Sequence, residues 1–339
     1  PLGARLSFPL SPLVIFSPCP LCPRPPVRMW LYLAALLGLY FLRRWYRERQ
    51  CVEGLPEKSV LITGCDSGFG NLLARQLDAR GLRVLAACLT PQGAERLREA
   101  TSARLQTVIL DVTQTDSVAA ATAWVKGQVG DKGLWGLVNN AGITGSTAPN
   151  EWLTKDDFVK VLNVNLIGLV EVTLSLLPLV RRARGRVVNV ASTMGRLALF
   201  GGGYCPAKYG VEAFSDSLRR ELLPFGVKVS IIEPGAFGTQ ILNTQIIKDM
   251  LQEVWSRAPA EIKETYGQRY FDTCESEGGN GTGLDAPGGI VHALTARHPR
   301  IRYSGGWDAK LYYLPVSYLP ACWQDFLVTL WQPKPAHGI

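Results

Sequence analysis

Tyr204 and Lys208 stand four residues apart in the run Tyr204-Cys205-Pro206-Ala207-Lys208. On a helix that spacing brings both side chains onto one face. An ammonium beside a phenol stabilises the phenolate and draws its pKa down from about 10 toward neutrality. Such a tyrosine can take the proton of an alcohol or give one to a carbonyl. Pro206 fits if the helix begins just before Tyr204, because a first-turn proline sacrifices no hydrogen bond. The pair alone is common by chance, and its company gives it weight. Ser192 closes one apolar run, where its hydroxyl can hold a substrate oxygen, and Asn139, Asn140, Ala141 and Gly142 end another. Asn165 falls in the middle of a predicted helix, an unfavourable place unless its side chain has a partner. Pro234-Gly235 ends a third apolar run. Taken singly, each of these reads equally well as a cap or turn residue.

A second chemistry lies upstream. Gly64, Gly68 and Gly70 punctuate the turn Thr63-Gly64-Cys65-Asp66-Ser67-Gly68-Phe69-Gly70, between a predicted strand and a predicted helix. The first glycine permits a tight turn, the second lets backbone approach a pyrophosphate, and the third lets the helix pack on the sheet. The helix start then presents free N–H groups and the positive end of its dipole to phosphate. Ser67 and Phe69 belong to the same loop. A dinucleotide so held puts its nicotinamide near Pro234-Gly235, with Thr239 placed for the carboxamide. The second strand ends in Ala86-Ala87-Cys88-Leu89-Thr90, without an acidic residue for a ribose hydroxyl or an arginine for a 2′-phosphate. The missing cation favours NAD and leaves NADP open. Asp111, after the third strand, is placed to touch adenine or to serve as a loop or N-cap aspartate.

The elements that must position these residues are legible as a pattern. Apolar runs at 59–63, 83–89, 105–110, 134–140, 185–190 and 227–233 read as strands, with helical stretches at 70–80, 116–128, 156–180 and 207–223. Near-continuous apolar strands alternating with amphipathic helices imply a parallel sheet covered on both faces. The fold expected is α/β, a Rossmann-type doubly wound parallel sheet in one domain over 56–310. Residues 274–289 are polar and glycine-rich and read as an exposed loop.

The flanks differ. Residues 1–28 are proline-rich, lack acidic residues, and read as an unstructured extension. Met29 to Leu42 is uninterruptedly apolar and abuts Arg43, Arg44, Arg47 and Arg49. It is shorter than the roughly 20 residues of a perpendicular span, and no small-residue cleavage site follows. Residues 29–50 therefore read as a short membrane anchor with an arginine flank and interfacial Trp30, Tyr40, Trp45 and Tyr46, and the basic flank predicts a cytosolic catalytic domain. The apolar segment 311–339 reads as a helical extension that either caps a pocket or dips into a bilayer surface. Net charge is +8, but outside the arginine knot the cations are dispersed, which argues against nucleic acid. The 8 cysteines include one CxxC, Cys19 to Cys22, with no second half to complete a metal site, so neither metal nor a disulfide framework is expected.

Together the turn TGCDSGFG, NNAG, NVNLIG, the serine of NVAS, YCPAK and PG resemble the short-chain dehydrogenase/reductase superfamily, in family order over residues 59–240. The runs GRLALFGGGYC, EAFSDSLRRE, HALTARHPR and RYSGGWDAKL are similar to its microsomal retinol dehydrogenase and hydroxysteroid dehydrogenase branch. The resemblance implies a membrane-bound enzyme of the endoplasmic reticulum that oxidises a small apolar alcohol, retinoid or steroid, with NAD and without metal. It implies Tyr204 as acid/base, Lys208 as its tuner and a ribose ligand, Ser192 as orienter of the substrate oxygen, and Asn165 as holder of a relay water. It leaves a homodimer open. Phe200, Phe237 and Leu242 predict a greasy pocket. Two departures stand against the pattern: residues 1–28 have no counterpart, and 272–290 looks shortened and rewritten where the branch carries a longer helical segment. The alternatives are a hydroxysteroid dehydrogenase with little retinoid activity, or a catalytically impaired retinoid- or lipid-binding relative.

Overall fold

A computed structural model describes residues 27–235, 244–276, 286–330 and 332–338. The extension 1–26, Phe237, Thr239, Leu242, and Cys19 and Cys22 lie outside these residues. The chain divides into two units, Pro1–Arg49 and Gln50–Ile339. In the first, helix α1 (Val27–Glu48) exposes its apolar side chains from Met29 to Tyr46, Leu31, Leu36, Tyr40 and Phe41 among them.

The second unit is built on seven strands: β1 (Ser59–Thr63), β2 (Arg83–Cys88), β3 (Gln106–Ile109), β4 (Gly136–Asn139), β5 (Arg186–Val190), β6 (Lys228–Pro234) and β7 (Arg302–Gly305). Their order is β3-β2-β1-β4-β5-β6-β7, and every neighbouring pair is parallel. Strand alternation divides the apolar residues between two faces. Val60, Ile62, Val84 and Ala86 meet α2 (Gly68–Ala79), α3 (Pro91–Glu99) and α11 (Ala286–Thr295) through Leu73, Leu77, Leu97, Ile290 and Leu294. Leu61, Leu85, Leu137 and Val187 meet α4 (Thr115–Val129), α6 (Leu169–Arg182) and α7 (Tyr204–Leu222) through Val125, Val172, Leu176, Leu218 and Leu222. Each of the valines, leucines and isoleucines among them contributes about 1.5–3 kcal/mol by leaving water. With helices on both faces, the loops at the carboxyl ends of β1 and β4 flank the topological switch point, where ligands of open α/β sheets bind.

Helix α5 (Lys155–Leu162) runs into α6 through a π-helical segment, Asn163–Gly168. The stretch 155–182 is long and apolar enough to cross a membrane by length and composition. Val172, Leu176, Leu179 and Val180 are nevertheless buried against the sheet, as in a core helix. The remaining helices are α8 (Thr244–Arg257), α9 (Ala260–Tyr266), α10 (Gln268–Ser276), α12 (Leu314–Ser317) and α13 (Ala321–Thr329). An aromatic cluster of Trp152, Trp255, Tyr266, Tyr270 and Phe271 holds α8, α9 and α10 together.

Of the loop expected at 274–289, residues 277–285 lie outside the described residues, and both flanks are helical. Residues 274–276 finish α10, and α11 starts at Ala286 with Pro287 in its first turn, a position proline tolerates. Burial of Ile290, Ala293 and Leu294 outweighs the low helix propensity of Gly288 and Gly289.

Candidate active site

A crevice of about 610 Å³ opens above the carboxyl ends of the strands. Its floor is the glycine-rich turn. Gly64 and Gly68 take φ of 70° and 59°, values that favour glycine. A Cβ on Gly64 would stand 2.8 Å from the Cα of Ala141, whereas one on Gly68 would meet nothing within 4 Å, so the chain is bare where a ligand's phosphates would approach. Ser67 precedes the first turn of α2 without a side-chain cap, leaving that turn's N–H groups unoccupied by its hydroxyl. Gly64, Ser67, Gly68 and Phe69 line the crevice. Gly70 does not. A Cβ there would lie 2.3 Å from the carbonyl oxygen of Gly64, so this glycine closes helix onto loop and serves the ligand through the loop alone.

The end of β4 requires a correction. Asn139 is buried, and its Nδ2 donates to Thr173 Oγ1 and Asn189 Oδ1, both at 2.8 Å. That polar chain continues from Asn189 Nδ2 to Ser215 Oγ through the interior. Consecutive strand residues point to opposite sides, so Asn140 takes the crevice position expected for Asn139. Its Nδ2 donates to the carbonyls of Thr63 and Gly64 at 2.9 and 3.1 Å, clamping the glycine turn to β4. Gly142 and Asp111 line the crevice. Asp111 Oδ1 also accepts from Thr113 N and Oγ1, the bonds of a loop aspartate.

Ser192, Tyr204 and Lys208 converge on the opposite wall, with Pro234 and Gly235 beside them. Helix α7 begins at Tyr204, which puts Pro206 in its first turn. The Ser192 hydroxyl accepts from Met194 N at 3.2 Å and lies near enough to the Tyr204 phenol to pull its pKa down. Lys208 is buried. Its Nζ donates to the carbonyl oxygen of Val190 at 2.8 Å and lies 5.5 Å from the centre of the Tyr204 ring. Burial holds the lysine down to about 8. The phenol is pushed up by burial, and the Ser192 hydroxyl offsets only part of that. The spacing leads one to expect a tyrosine lowered by the ammonium; in this structure the phenol is raised, and burial is the largest cause. Asn165 is buried in the π-helical segment, does not line the crevice, and is bonded both ways to the Ile143 backbone: Oδ1 accepts from its N–H at 2.8 Å and Nδ2 donates to its carbonyl at 2.7 Å.

Behind Lys208 a charged cluster ties the wall together. Arg302 of β7 reaches Glu212 and Asp216 of α7, each at 2.9 Å, and Glu233 of β6 at 3.4 Å. Arg196, in the loop after Ser192, reaches Glu233 at 3.1 Å. Burial and then Glu233 push Glu212 up to about 7, against the pull of Arg302.

Spacing did not disclose several lining residues. Asp66, Arg96 and Met194 line the crevice, and Tyr313 enters it from the C-terminal segment. Phe200 lines it as the expected greasy wall. Leu311, Tyr318, Trp323 and Phe326 of the same segment are exposed. The glycine floor, bare at Gly68, fits a dinucleotide, and the phenol–hydroxyl–ammonium wall fits proton transfer to or from an oxygen.

A family model described as short chain dehydrogenase matches residues 58–249. Retinol dehydrogenase 16 of Homo sapiens is 61% identical over 318 residues, covering 92% of this chain and 100% of its own. Retinol dehydrogenase 7 of Rattus norvegicus is 60% identical over 320 residues, and 17-beta-hydroxysteroid dehydrogenase type 6 of Homo sapiens 60% over 317, each covering 92% of this chain and 100% of its own. Among solved structures, a short-chain dehydrogenase from Streptomyces avermitilis matches with a TM-score of 0.62 at 27% identity, over 80% of this chain and 96% of its own. The 3-ketoacyl-(acyl-carrier-protein) reductase from Brucella melitensis complexed with NADH matches with a TM-score of 0.51 at 30% identity, over 57% of this chain and 81% of its own.

Proposed function

This chain belongs to the short-chain dehydrogenase family, oxidoreductases that use NAD(P), and on that premise we propose that it reversibly oxidises the hydroxyl of a retinol or a hydroxysteroid with NAD. The observation that carries the reading is the convergence of Ser192, Tyr204 and, one turn on, Lys208 on a glycine-floored crevice. The names of the relatives supply the substrate class. The exposed Phe200 and the apolar lining of Leu199, Val164 and Tyr313 suit a greasy alcohol.

Gly64, Ser67, Gly68 and Phe69 would hold the pyrophosphate, Asp111 the adenine side, Asn140 and Gly142 the middle, and Pro234, Gly235 and Lys208 the nicotinamide riboside. When bound, the cofactor supplies the hydride acceptor at nicotinamide C4. Ser192 orients the substrate oxygen, and Tyr204 takes its proton. At rest the phenol is protonated, which is the form needed to donate to a carbonyl. Oxidation draws on its ionised form, stabilised by the Lys208 ammonium. Because the Asn165 side chain is committed to Ile143, a relay water would meet its main chain. Thr239, as a carboxamide ligand, remains part of the proposal. The full chain in detergent micelles, given NAD and all-trans-retinol or an androgenic hydroxysteroid, should generate NADH fluorescence. No turnover with either class, at an enzyme concentration that binds NADH, would refute the reading.

A hydroxysteroid dehydrogenase with little retinoid activity is the second reading, since the type 6 enzyme is as similar, at 60% identity, as the retinol dehydrogenases at 60 and 61%. The ratio of kcat/KM for the two alcohols separates them. We further propose that α1 anchors the protein in the endoplasmic reticulum membrane with residues 56–310 on the cytosolic side. A helix apolar all round requires a membrane or protein partner, and the arginines that follow it set orientation. Protease protection in microsomes tests this: cytosolic placement predicts digestion without detergent.

A further inference from the structure

The chain enters the second unit at the amino edge of the sheet, opposite the crevice. The Gln50 carbonyl accepts from Arg297 N at 2.7 Å, the Arg297 carbonyl accepts from Lys228 Nζ, and Lys228 N donates to Gly185 O at 3.1 Å. Beside that entry, the turns between α6 and β5 and between α7 and β6 enclose a recess of about 670 Å³, with Arg181, Arg182, Arg184, Leu223 and Phe225 in its lining. Arg181 and Arg182 close α6, where the carbonyl end of a helix favours cations. Arg184 lies beyond the cap, with φ of 46°, the one non-glycine residue in the left-handed region among the described residues. Gly185 N reaches back to Val180 O at 2.9 Å, so Arg184 fills the position that glycine normally takes at a helix end. An arginine there accepts a less favourable backbone and keeps a charge. Arg182 meets a carboxylate, Asp131, only at 3.9 Å and in full solvent exposure. Beside these cations Leu223 is 75% and Phe225 50% exposed, and the Arg181 guanidinium lies 5.2 Å from the centre of the Phe225 ring. Neither the helix end nor the core accounts for that exposure.

We propose that this edge docks on the anionic headgroups of the bilayer that holds α1, with the arginines on lipid phosphates and Leu223 and Phe225 entering the interface. The inference rests on the reading of α1 as an anchor. Only Arg49 separates the end of α1 from Gln50, so an α1 seated in a bilayer keeps Gln50 within about 7 Å of the helix end, at headgroup level. The bonds from Gln50 through Arg297 and Lys228 to Gly185 hold the recess close to the same surface. The arginine fork matches phosphate oxygens, and the cytosolic leaflet is the one that carries anionic lipid. Exposed leucine and phenylalanine beside cations make the composition of an interfacial contact. An acidic protein segment could use the same arginines, but it has no need of a recess beside the exit from an anchor; lipid does. The crevice lies at the other end of the strands, so docking leaves it open to a water-soluble dinucleotide.

The test is hydrogen exchange, read by mass spectrometry, on the full chain reconstituted into vesicles of phosphatidylcholine alone or with about 30% phosphatidylserine. A surface that binds the folded turns slows their opening. The amides of 181–185 and 223–226 should exchange at least about fivefold more slowly in the anionic vesicles, roughly the effect of one seated arginine. About 0.5 M NaCl should erase that difference. A variant carrying Arg181→Gln, Arg182→Gln and Arg184→Gln together should exchange alike in both vesicles while binding NADH as wild type does. Equal exchange of wild type in the two vesicles would overturn the proposal whether or not the variant folds. So would slowing by soluble polyglutamate but not by the vesicles, which would make the occupant an acidic protein segment. If an alkaline wash strips the chain from both vesicles, the anchor reading of α1 fails and the docking with it. If both vesicles retain the chain and the turns exchange equally, only the docking fails.

Discussion

Replacing Lys208 by methionine separates the electrostatic cost of this residue from its use. Methionine keeps the unbranched apolar stem and removes the charge. In the folded protein burial holds Lys208 at about 8, against 10.5 for the free side chain. One pKa unit corresponds to about 1.36 kcal/mol, so near neutrality the charged lysine costs roughly 3 kcal/mol of stability. The folded pKa is depressed, so the unfolded chain binds more protons between pH 8 and pH 10.5. Stability must therefore rise with pH across that window, and the gain is lost as pH falls through 8. The slope should approach about 1.4 kcal/mol per pH unit for wild type relative to Lys208→Met. The absolute offset at pH 7 mixes this cost with the lost bond to Val190 O, whereas the slope does not. Urea unfolding of both proteins in micelles, followed by tryptophan fluorescence from pH 7 to pH 10, should show wild type gaining roughly 2–3 kcal/mol on the variant. Parallel curves would mean that the ammonium is solvated in the folded state and that the account of its burial is wrong.

Tyr204→Phe should lower kcat for oxidation by about 10²–10⁴ while NADH affinity stays within threefold; loss of binding would instead make the phenol a structural group. Because the phenol is raised, kcat/KM for oxidation should climb with pH from 6 to 8 while that for carbonyl reduction stays flat, and parallel profiles would contradict this assignment. Gly64→Ala forces a side chain onto a φ of 70° and against Ala141; a loss of about 1–3 kcal/mol in urea unfolding, with weakened NADH binding, is expected. Asn139→Ala should cost about 1–3 kcal/mol by leaving Thr173 and Asn189 short of a donor, yet once folded it should bind NADH as wild type does. A selective loss of NADH affinity would return Asn139 to the crevice.

What the sequence disclosed depended on how local the cause was. Strands β1 to β6 stood out because each is a short apolar run, and Tyr204 and Lys208 because one helical turn joins them. Strand β7 was not among the six runs, since Arg-Tyr-Ser-Gly carries no apolar pattern; its place comes from pairing with β6 and from ion pairs 69 to 90 residues away in sequence. The glycine turn was legible as a phosphate loop, but the reach of Asp66 to Leu89 and Thr90 was not, because it depends on how β1 and β2 lie side by side. Asn139 and Asn140 are chemically identical neighbours, and only the pleat decides which one faces the ligand. The direction of the tyrosine shift was misjudged for a similar reason: spacing shows a cation nearby, but not how thoroughly both groups are withdrawn from water.

The arginine of β7 has a consequence for chains that end early. Glu212 and Glu233 enter the interior well before Arg302 is translated, and until then Arg196 stands alone against both. A product terminated anywhere short of residue 302 would carry every group proposed for proton transfer, yet would lack the strand that pairs with β6 and the arginine that counters both carboxylates. Glu212, at about 7 even with Arg302 beside it, would then take up a proton, and the edge of β6 would be left without its partner. Early stop codons should therefore yield protein removed by quality control rather than a shortened, sluggish enzyme, even though the chemistry they delete lies elsewhere.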